Sequence, residues 1–409
     1  MKIENNSVPV VILKFHHGSL GIARSLGRLG VPVYGIHPEA ADPTVATKYC
    51  TKVLIWNIEK APVDQSLEFL ADLGRQIGRQ SILISTSDAT TVFISQNAEA
   101  LKEHFIFPHQ PLDLVTSLTD KKQMYHMALA HNIPTPGALF PASREELLDT
   151  IDKVEFPVMF KGIDGTRLKM RNKPKMLKVD NKAELLAAYD KWEDPEDPNF
   201  MLQEFIPGGE DSVWMFNGYF DENSNCRIGI TGKKLRQYPA YKGATSLGIC
   251  VQNDEVEQTT CRFMKAIGYQ GILDIGYRYD ARDGKYKVLD INPRIGSSFR
   301  LFVGTNGMDV ARTLYLALTN QIVPETAIHE GRKWIVENQD LSSCLVYRRD
   351  GKLSLGEFVS SFKGVKEATW FASDDMKPFF KLCNFYLKKS LGWSSNGKNG
   401  NNGKNGSHA

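Results

Sequence analysis

The segment Gly271–Arg300 contains the residues whose types and spacing best suit chemistry on a charged substrate. Asp290 and Asn292 are two residues apart in a run that is typical of a β-strand, so both side chains project from the same face. Carboxylate and amide oxygens on one face suit Mg²⁺ that bridges nucleotide phosphates, and Arg294 just beyond them adds a cation for developing charge. Taken alone, the segment is better explained as a hairpin with a surface aspartate and a turn-forming Asn-Pro.

Three other motifs precede this segment in the chain. They are Asp120-Lys121, Phe156–Lys161 and Leu202–Gly208. The run Val288–Arg294, which lies inside the segment, is the fourth motif. In this order and strand context, the four motifs resemble those of the ATP-grasp superfamily. The resemblance extends from about residue 8 to about residue 325. Its nearest look-alikes are carboxylate–amine ligases, including D-aspartate ligase-like and carbamoyl-phosphate-synthase-large-chain-like proteins.

The resemblance implies a nucleotide site. Lys121 and Lys161 match lysines that reach the ATP phosphates, where a flexible point charge suits a polyanion. Glu204 matches the hinge residue that accepts a hydrogen bond from the adenine amino group, and the backbone of Phe205 and Ile206 matches the amide edge presented to the ring. The implied cofactors are ATP and Mg²⁺, with Mn²⁺ as an alternative metal.

The resemblance also implies roles around the ribose and the reacting groups. Asp211 matches the acid that binds the ribose hydroxyls, and Glu210 beside it is the alternative. Arg294 is implied to balance charge on the transferring phosphoryl group. In the look-alikes, the region of Lys234 lies near the phosphates and the region of Arg300 near the acceptor carboxylate.

Two features depart from the superfamily pattern. The strand before the hairpin turn usually offers a first metal-binding acid where this chain has Gly276, and Asp274, two residues earlier on the same face, is the alternative ligand. The loop over the phosphates is usually small and glycine-rich, but here it carries seven cations against Asp164, which suits a triphosphate or an acidic substrate. These cations are Lys161, Arg167, Lys169, Arg171, Lys173, Lys175 and Lys178.

Composition excludes several classes of protein. With 409 residues, the chain has room for two to three domains of roughly 150 residues each. The formal net charge of +3 is too balanced for a dedicated nucleic-acid binder. The apolar run Val8–Leu13 is shorter than a signal-peptide core or a membrane span. The cysteines are scattered singly, so we expect a soluble cytoplasmic protein without a disulfide framework.

The predicted fold is α/β and α+β. Strands alternate with helices over the first hundred residues, which predicts a Rossmann-like pre-ATP-grasp domain over residues 1–115. An ATP-grasp domain is predicted over 116–325, and a small C-terminal α/β extension over 326–393. The run 394–409 is predicted to be a flexible low-complexity tail.

A basic and aromatic stretch, Phe379–Lys389, precedes that tail. Such a pattern is typical of a helix on a membrane surface or of a helix that packs on its own domain with a solvated lysine edge. We expect the second arrangement here.

Together, the motifs and the resemblance predict an ATP-dependent ligase that joins a carboxylate to an amine through an acyl phosphate. Carbamoyl-phosphate-synthase-like or carboxylase-like chemistry is a rival interpretation. The missing biotin-carrier segment and the missing second grasp half count against it. A nucleotide-binding regulatory or assembly protein without turnover is the rival from another class, and Gly276 favours it. The expected partners are small-molecule carboxylate and amine substrates, with no nucleic acid and no stable membrane insertion. A homodimer is the assembly that the sequence leaves open.

Overall fold

The computed structural model describes residues 3–164, 167–168 and 176–390. Within these residues, sixteen strands form three sheets, and α-helices connect them. The strands are β1 Val10–Ile12, β2 Val33–His37, β3 Lys52–Ile55, β4 Ser81–Ile84, β5 Phe105–Ile106, β6 Ala138–Leu139, β7 Val158–Gly162, β8 Met176–Val179, β9 Phe200–Glu204, β10 Val213–Phe220, β11 Cys226–Tyr238, β12 Ala244–Cys250, β13 Gly271–Asp280, β14 Lys285–Asn292, β15 Lys333–Ile335 and β16 Val365–Ala368. The helices are α1 His17–Gly27, α2 Val63–Ile77, α3 Asp88–Gln96, α4 Ala98–Leu101, α5 Leu112–Thr119, α6 Lys121–Ala130, α7 Arg144–Ile151, α8 Lys182–Trp192, α9 Asp254–Ala266, α10 Val310–Leu318, α11 Glu337–Arg349, α12 Leu355–Ser361 and α13 Lys377–Ser390.

The first sheet is parallel, with the strand order β3-β2-β1-β4-β5. Its central strands, β1 and β4, are buried along their whole length, as expected for parallel strands that are covered on both faces. The predicted alternation of strand and helix is therefore confirmed. The sequence did not predict β3, because Lys52–Ile55 is a half-exposed edge strand with only three apolar residues.

Two largely antiparallel sheets follow. The smaller has the order β6-β9-β7-β8, and the rings of Phe160 and Phe200 stack 4.2 Å apart on it, in a core shared with α7 and α8. The larger has the order β14-β13-β10-β11-β12-β15-β16. Its strands are antiparallel except for β15 and β16.

One apolar core joins the first sheet to the seven-stranded sheet. It includes Ile12 of β1, Ile84 of β4, Ile295 just after β14 and Leu314 of α10. Because these residues pack together, the carboxyl ends of β1 and β4 lie against the end of β14. Ligands of parallel α/β sheets bind at such carboxyl ends.

The C-terminal residues extend the large sheet. β15 pairs antiparallel with β12, and β16 pairs parallel with β15. Trp334 of β15 is buried in the core that the first sheet also shares. The predicted domain boundaries near residues 115 and 325 stay predictions.

Several local signals match the structure. Asn181 caps α8 and Asp309 caps α10, each with its side chain accepting from a backbone N–H of the first turn. The pair Asp283-Gly284 predicts the tip of the β13–β14 hairpin, and Gly284 adopts φ +71° there, a conformation that favours glycine. The sequence also predicts a helix capped at Asp254, but the cap of α9 is Asn253, one residue earlier.

Some predictions fall on residues that the structure leaves out. The predicted tail 394–409 lies outside the described residues, as do four of the loop cations, namely Lys169, Arg171, Lys173 and Lys175. Among the helices described, none has the length and apolar content that crossing a membrane would require.

Candidate active site

Five polar side chains form an acid–cation cluster at the open end of the β13–β14 hairpin and on β11, which lies two strands away from β13 in the same sheet. The cluster consists of Asp274, Asp290, Asn292, Arg294 and Lys234. Asp274 pairs with Asn292 across the two strands, and the Asn292 amide donates to Oδ2 of Asp290 at 3.0 Å. The predicted shared face of Asp290 and Asn292 is therefore present, and Asp274 adjoins it.

Burial and charge set the protonation of this cluster. Burial raises the pKa of Asp274 to about 6, Asp290 adds to the rise, and Arg294 and Lys234 oppose it. Burial lowers the pKa of Lys234, against the opposing effect of Asp290 and Asp274. The ammonium group of Lys234 also donates to the carbonyl of Gly243 at 3.2 Å. The structure thus brings Lys234, predicted only from its region, to the two carboxylates.

Arg294 connects this cluster to the first sheet. Its Nη2 donates to Oδ1 of Asn292 at 2.9 Å, and its Nε donates to Oδ1 of Asp88 at 2.8 Å. Asp88 begins α3 directly after β4, and Ser87 caps that helix. Sequence reasoning missed Asp88 as a site residue, although the polar run Thr86-Ser87-Asp88 at a strand's carboxyl end was a signal.

Lys161 faces the cluster from the smaller sheet. It lies near the end of β7 with only 8% of its surface exposed, and its ammonium group donates to Oε1 of Gln203. Burial lowers the pKa of Lys161 to about 8, and Lys121 lowers it further, whereas Asp290 raises it. Lys121 in turn donates to the carbonyl of Ile163 at 3.0 Å. The two predicted phosphate lysines therefore lie together, within reach of the charge on Asp290.

The loop cations have partners in the part that is described. Arg167 donates to the carbonyl of Asp197 at 2.7 Å. Lys178 pairs with Asp180, and its ammonium group lies 5.3 Å from the centre of the Phe205 ring. Lys178 therefore contacts the predicted adenine segment.

Glu204, the predicted adenine acceptor, is held by several donors. Its Oε2 accepts from the backbone N–H of Gly137 at 3.0 Å, and Lys287 lies 3.4 Å from the same oxygen. Arg282 pairs with its Oε1. Both cations also bind the buried carboxylate of Asp280, whose pKa they hold well below its usual range. Glu204 lies at the end of β9, and its hinge role and its bond to adenine stay predictions.

Arg278 fixes the backbone of the predicted adenine segment. Its Nε donates to the carbonyl of Ile206 at 2.9 Å, and its Nη2 donates to the carbonyl of Gly208 at 2.6 Å. Burial lowers the pKa of this guanidinium, and Glu210 and Asp211 oppose that shift. Sequence reasoning missed Arg278, although it lies on β13 at the same two-residue spacing as Asp274 and Gly276.

The two candidate ribose acids occupy a short turn, Glu210–Ser212. Glu210 accepts from the hydroxyl of Tyr347 at 2.6 Å, so it is tied to α11. Burial and this bond to Glu210 raise the pKa of Tyr347. Among the residues that the structure describes, Asp211 makes no such bond to α11, and it stays the predicted ribose acid with Glu210 as the alternative.

Arg300 has a different set of partners. Its guanidinium is buried, pairs with Asp309, and makes two bonds of 2.7 Å to Glu367 of β16. Arg300 also lines a small, partly open pocket beside Gly18 and Gly21 of α1. The structure does not give it a bond to the acid–cation cluster, and its contact with an acceptor carboxylate stays a prediction.

The oxygen ligands fit a hard cation. Within the described residues, no group of three or more His, Cys, Asp or Glu side chains is arranged to hold a metal. Asp290, Asn292 and Asp274 nevertheless offer carboxylate and amide oxygens on one face. Mg²⁺ is commonly held by one or two carboxylates together with substrate phosphates and water. The donor set therefore suits Mg²⁺ that arrives with a nucleotide.

Position 276 explains how this donor set differs from the expected pattern. Gly276 lies opposite Asp290 in the hairpin, and a Cβ built on it would stand 2.5 Å from Oδ1 of Asp290. The carboxylate of Asp290 thus occupies the space of the absent side chain.

Comparisons with known proteins agree on the architecture. No protein-family model matches the chain. Over 328 residues, the chain is 27% identical to a D-aspartate ligase of Enterococcus faecium, and the match covers 76% of each protein.

Two solved structures are similar over most of their length. The L-amino acid ligase from Bacillus licheniformis matches with a TM-score of 0.62 and 16% identity, over 80% of this chain and 79% of that one. The N5-carboxyaminoimidazole synthetase from Staphylococcus aureus, complexed with ADP, matches with a TM-score of 0.62 and 13% identity, over 81% of this chain and 82% of that one. These similarities confirm the predicted fold.

Proposed function

We propose that this chain joins a carboxylate to an amine through an acyl phosphate. The chain belongs to the ATP-grasp superfamily, and its similarity to the proteins above supports a ligase. The observation that carries the proposal is that Lys161 lies within the electrostatic reach of Asp290, while Arg294 acts on the neighbouring Asp274. Cations and oxygen ligands converge there from both antiparallel sheets. Such a site suits positioning and charge stabilisation in phosphoryl transfer.

In this proposal, ATP lies between the two antiparallel sheets. Lys161 and Lys121 bind its phosphates, and the segment that Arg278 fixes, including Phe205 and Ile206, receives the adenine. Asp211 takes the ribose. Asp290, Asn292 and Asp274 would hold Mg²⁺, which supplies positive charge to the phosphate oxygens when it is bound.

The proposed reaction has two steps. An oxygen of the substrate carboxylate attacks the γ-phosphorus, the bond from that phosphorus to the bridging oxygen breaks, and ADP leaves. The amine nitrogen of the second substrate then attacks the acyl carbon, phosphate leaves with the electron pair of its oxygen, and the nitrogen gives up a proton. Arg294 lies where it can balance the charge of the transferring phosphoryl group, and Lys234 supports it from β11.

The first experiment measures ADP release with a panel of amino acids of both configurations, D-aspartate included, alone and in pairs. The proposal predicts ADP release that requires a particular acid and rises with a particular amine. Arg294→Ala should reduce turnover much more than it reduces ATP affinity, because an interaction made only in the transition state lowers kcat and kcat/KM together.

The rival function is nucleotide binding without turnover, which the glycine at position 276 favours. The same experiment decides between the two. If ATP binds but no member of the panel gives ADP, the regulatory interpretation replaces the ligase.

A further inference from the structure

The helix α13, Lys377–Ser390, keeps most of its surface outside the fold. Only Pro378 and Leu382 are buried, and Phe379 packs partly against the main core. The helix start is held because the preceding Asp375 binds the buried Arg24 of α1. The expectation that this helix packs on its own domain holds for its first turns, through Pro378, Phe379 and Leu382, but other apolar residues of the helix stay exposed.

Two large apolar side chains point away from the body of the protein. Phe380 and Leu387 are each 59% exposed, and their seven-residue spacing puts them in one row along the helix. Leu382, which anchors the helix, lies on roughly the opposite side at 100° per residue. Phe385 is also 54% exposed. The anchoring contacts therefore leave a second apolar row without a partner within the described residues.

A row of cations runs beside that apolar row. Lys377, Lys381 and Lys388 are spaced by four and seven residues, so they share one side of the helix, and all three are exposed. The helix contains four lysines and no acidic residue. The sequence from Met376 to the end of the chain likewise contains no Asp or Glu. We call the exposed row of Phe380 and Leu387 together with these three lysines the basic apolar face.

We propose that the basic apolar face docks on an anionic phospholipid surface. Exposed aromatic and aliphatic side chains can enter the boundary between headgroups and acyl chains, and lysines bind the anionic headgroups above it. The stems of the lysines can lie along apolar surface while their charges stay in water. Charge complementarity favours this partner. An anionic headgroup layer has a dense negative charge, and the charged residues of the basic apolar face are all lysines.

A second copy of the chain fits this face poorly. A two-fold contact is made by the same patch on both copies. Each copy would then bring its own lysine row and no acid, so like charges would oppose each other at the contact. The lipid surface has no such cost.

The test is sedimentation of the full chain with vesicles of phosphatidylcholine alone and of phosphatidylcholine with about 30% phosphatidylglycerol. The wild type should bind the anionic vesicles and not the neutral ones, and added salt should weaken the binding. The double variant Phe380→Ser, Leu387→Ser should bind at least roughly tenfold more weakly. The double variant Lys381→Glu, Lys388→Glu should lose at least about as much affinity for the anionic vesicles as the Phe380–Leu387 variant.

A matched control removes an exposed apolar residue elsewhere. Ile322 is 85% exposed and lies outside α13, so Ile322→Ser should bind like the wild type. Unchanged melting temperature and ATP affinity show that the variants fold. No binding to anionic vesicles, or equal binding by the Phe380–Leu387 and Ile322 variants, would overturn the proposal. A dimer in sedimentation velocity that dissociates in the Phe380–Leu387 variant would overturn it in favour of self-association.

Discussion

The carboxylate of Asp290 lies over Gly276, with Oδ1 2.5 Å from the point where a side chain at position 276 would begin. The two residues are direct partners in the hairpin. The absence of an acid at position 276 and the orientation of the Asp290 side chain therefore depend on each other. A larger residue at position 276 must move the Asp290 side chain, which makes this position a sensitive probe of the metal site.

Gly276→Asp should lower the Mg²⁺ concentration needed for half-maximal ATP binding. The new carboxylate adds a metal ligand and displaces Asp290 toward the open side of the hairpin. Without Mg²⁺, the same variant should melt at a lower temperature, because two close carboxylates repel each other. Titration of ATP binding at several Mg²⁺ concentrations measures the first effect.

Gly276→Asn is the matched control, since it has nearly the same size without the charge. If Asn and Asp shift the Mg²⁺ requirement equally, displacement of Asp290 rather than added charge is responsible. Asp274→Ala should raise the requirement, and an unchanged value would remove Asp274 from the metal site.

Lys161→Met should weaken ATP binding much more than adenosine binding. A charge-assisted hydrogen bond to phosphate contributes roughly 1.5–3 kcal/mol, whereas adenosine has no phosphate to lose. Calorimetric titration with both ligands measures the difference. Equal losses for ATP and adenosine would show that Lys161 acts only through its contact with Gln203.

ATP affinity should fall as the pH rises through about 8, where Lys161 loses its proton in the free protein. Bound phosphate favours the charged lysine, so binding near that pH should take up about half a proton. Burial lowers the folded-state pKa below its ordinary value. Between these two pKa values, the unfolded chain binds more protons than the folded protein. The contribution of Lys161 to folding stability therefore increases with pH between about 8 and the unfolded pKa of 10.5, whereas ATP affinity falls.

Titration calorimetry in buffers of different ionisation enthalpy measures this proton uptake. Lys161→Met should abolish the difference between buffers that Lys161 causes. If wild type and variant take up the same number of protons, another group is responsible.

Asp88→Asn should reduce kcat by about threefold to tenfold with little change in the KM for ATP. The pair with Arg294 is half exposed at Asp88, so solvent screening limits its strength. Its loss frees Arg294 to leave the cluster, which affects the transition state more than nucleotide binding. Asp64→Asn, an exposed acid on α2, is the control and should keep wild-type kinetics. A raised KM with unchanged kcat would contradict a positioning role.

The protein should lose stability as the pH falls below about 6.5. Burial lowers the pKa of His16 to about 3, so the folded state resists a proton that the unfolded chain accepts below 6.5. The loss reaches up to about 1.4 kcal/mol per pH unit for one such group. His16 also caps α1, because its Nδ1 accepts from Gly18 at 2.9 Å.

His16→Asn keeps a capping acceptor but cannot take up the proton, so its melting temperature should depend less on pH. His126→Asn, on an exposed face of α6, is the matched control. Equal pH dependence in all three proteins would assign the acid sensitivity to other groups.

Local patterns predicted much of this fold. The two-residue spacing of Asp290 and Asn292 fixed a shared face, and the register of β13 against β14 confirms it. Caps such as Asn181 and Asp309 marked helix starts, because their side chains bond to neighbouring backbone. These features depend on residues close in the sequence.

Contacts between distant segments were not predictable in the same way. Asp88 reaches Arg294 across 206 positions, and Arg300 reaches Glu367 across 67. No local periodicity encodes which sheet ends meet. β15 and β16 likewise join the rest of the large sheet through the pairing of β15 with β12. The partners of the site's cations therefore required the three-dimensional structure.

The most direct test of the ligase mechanism follows oxygen. An acid that supports ADP release is prepared with ¹⁸O in both oxygens of its carboxylate and incubated with ATP, Mg²⁺ and the amine, and the phosphate is analysed by mass spectrometry. Attack of the carboxylate on the γ-phosphorus leaves a carboxylate oxygen on the phosphate, so the account predicts one ¹⁸O in each phosphate released. Amide formation that releases phosphate without ¹⁸O would contradict it.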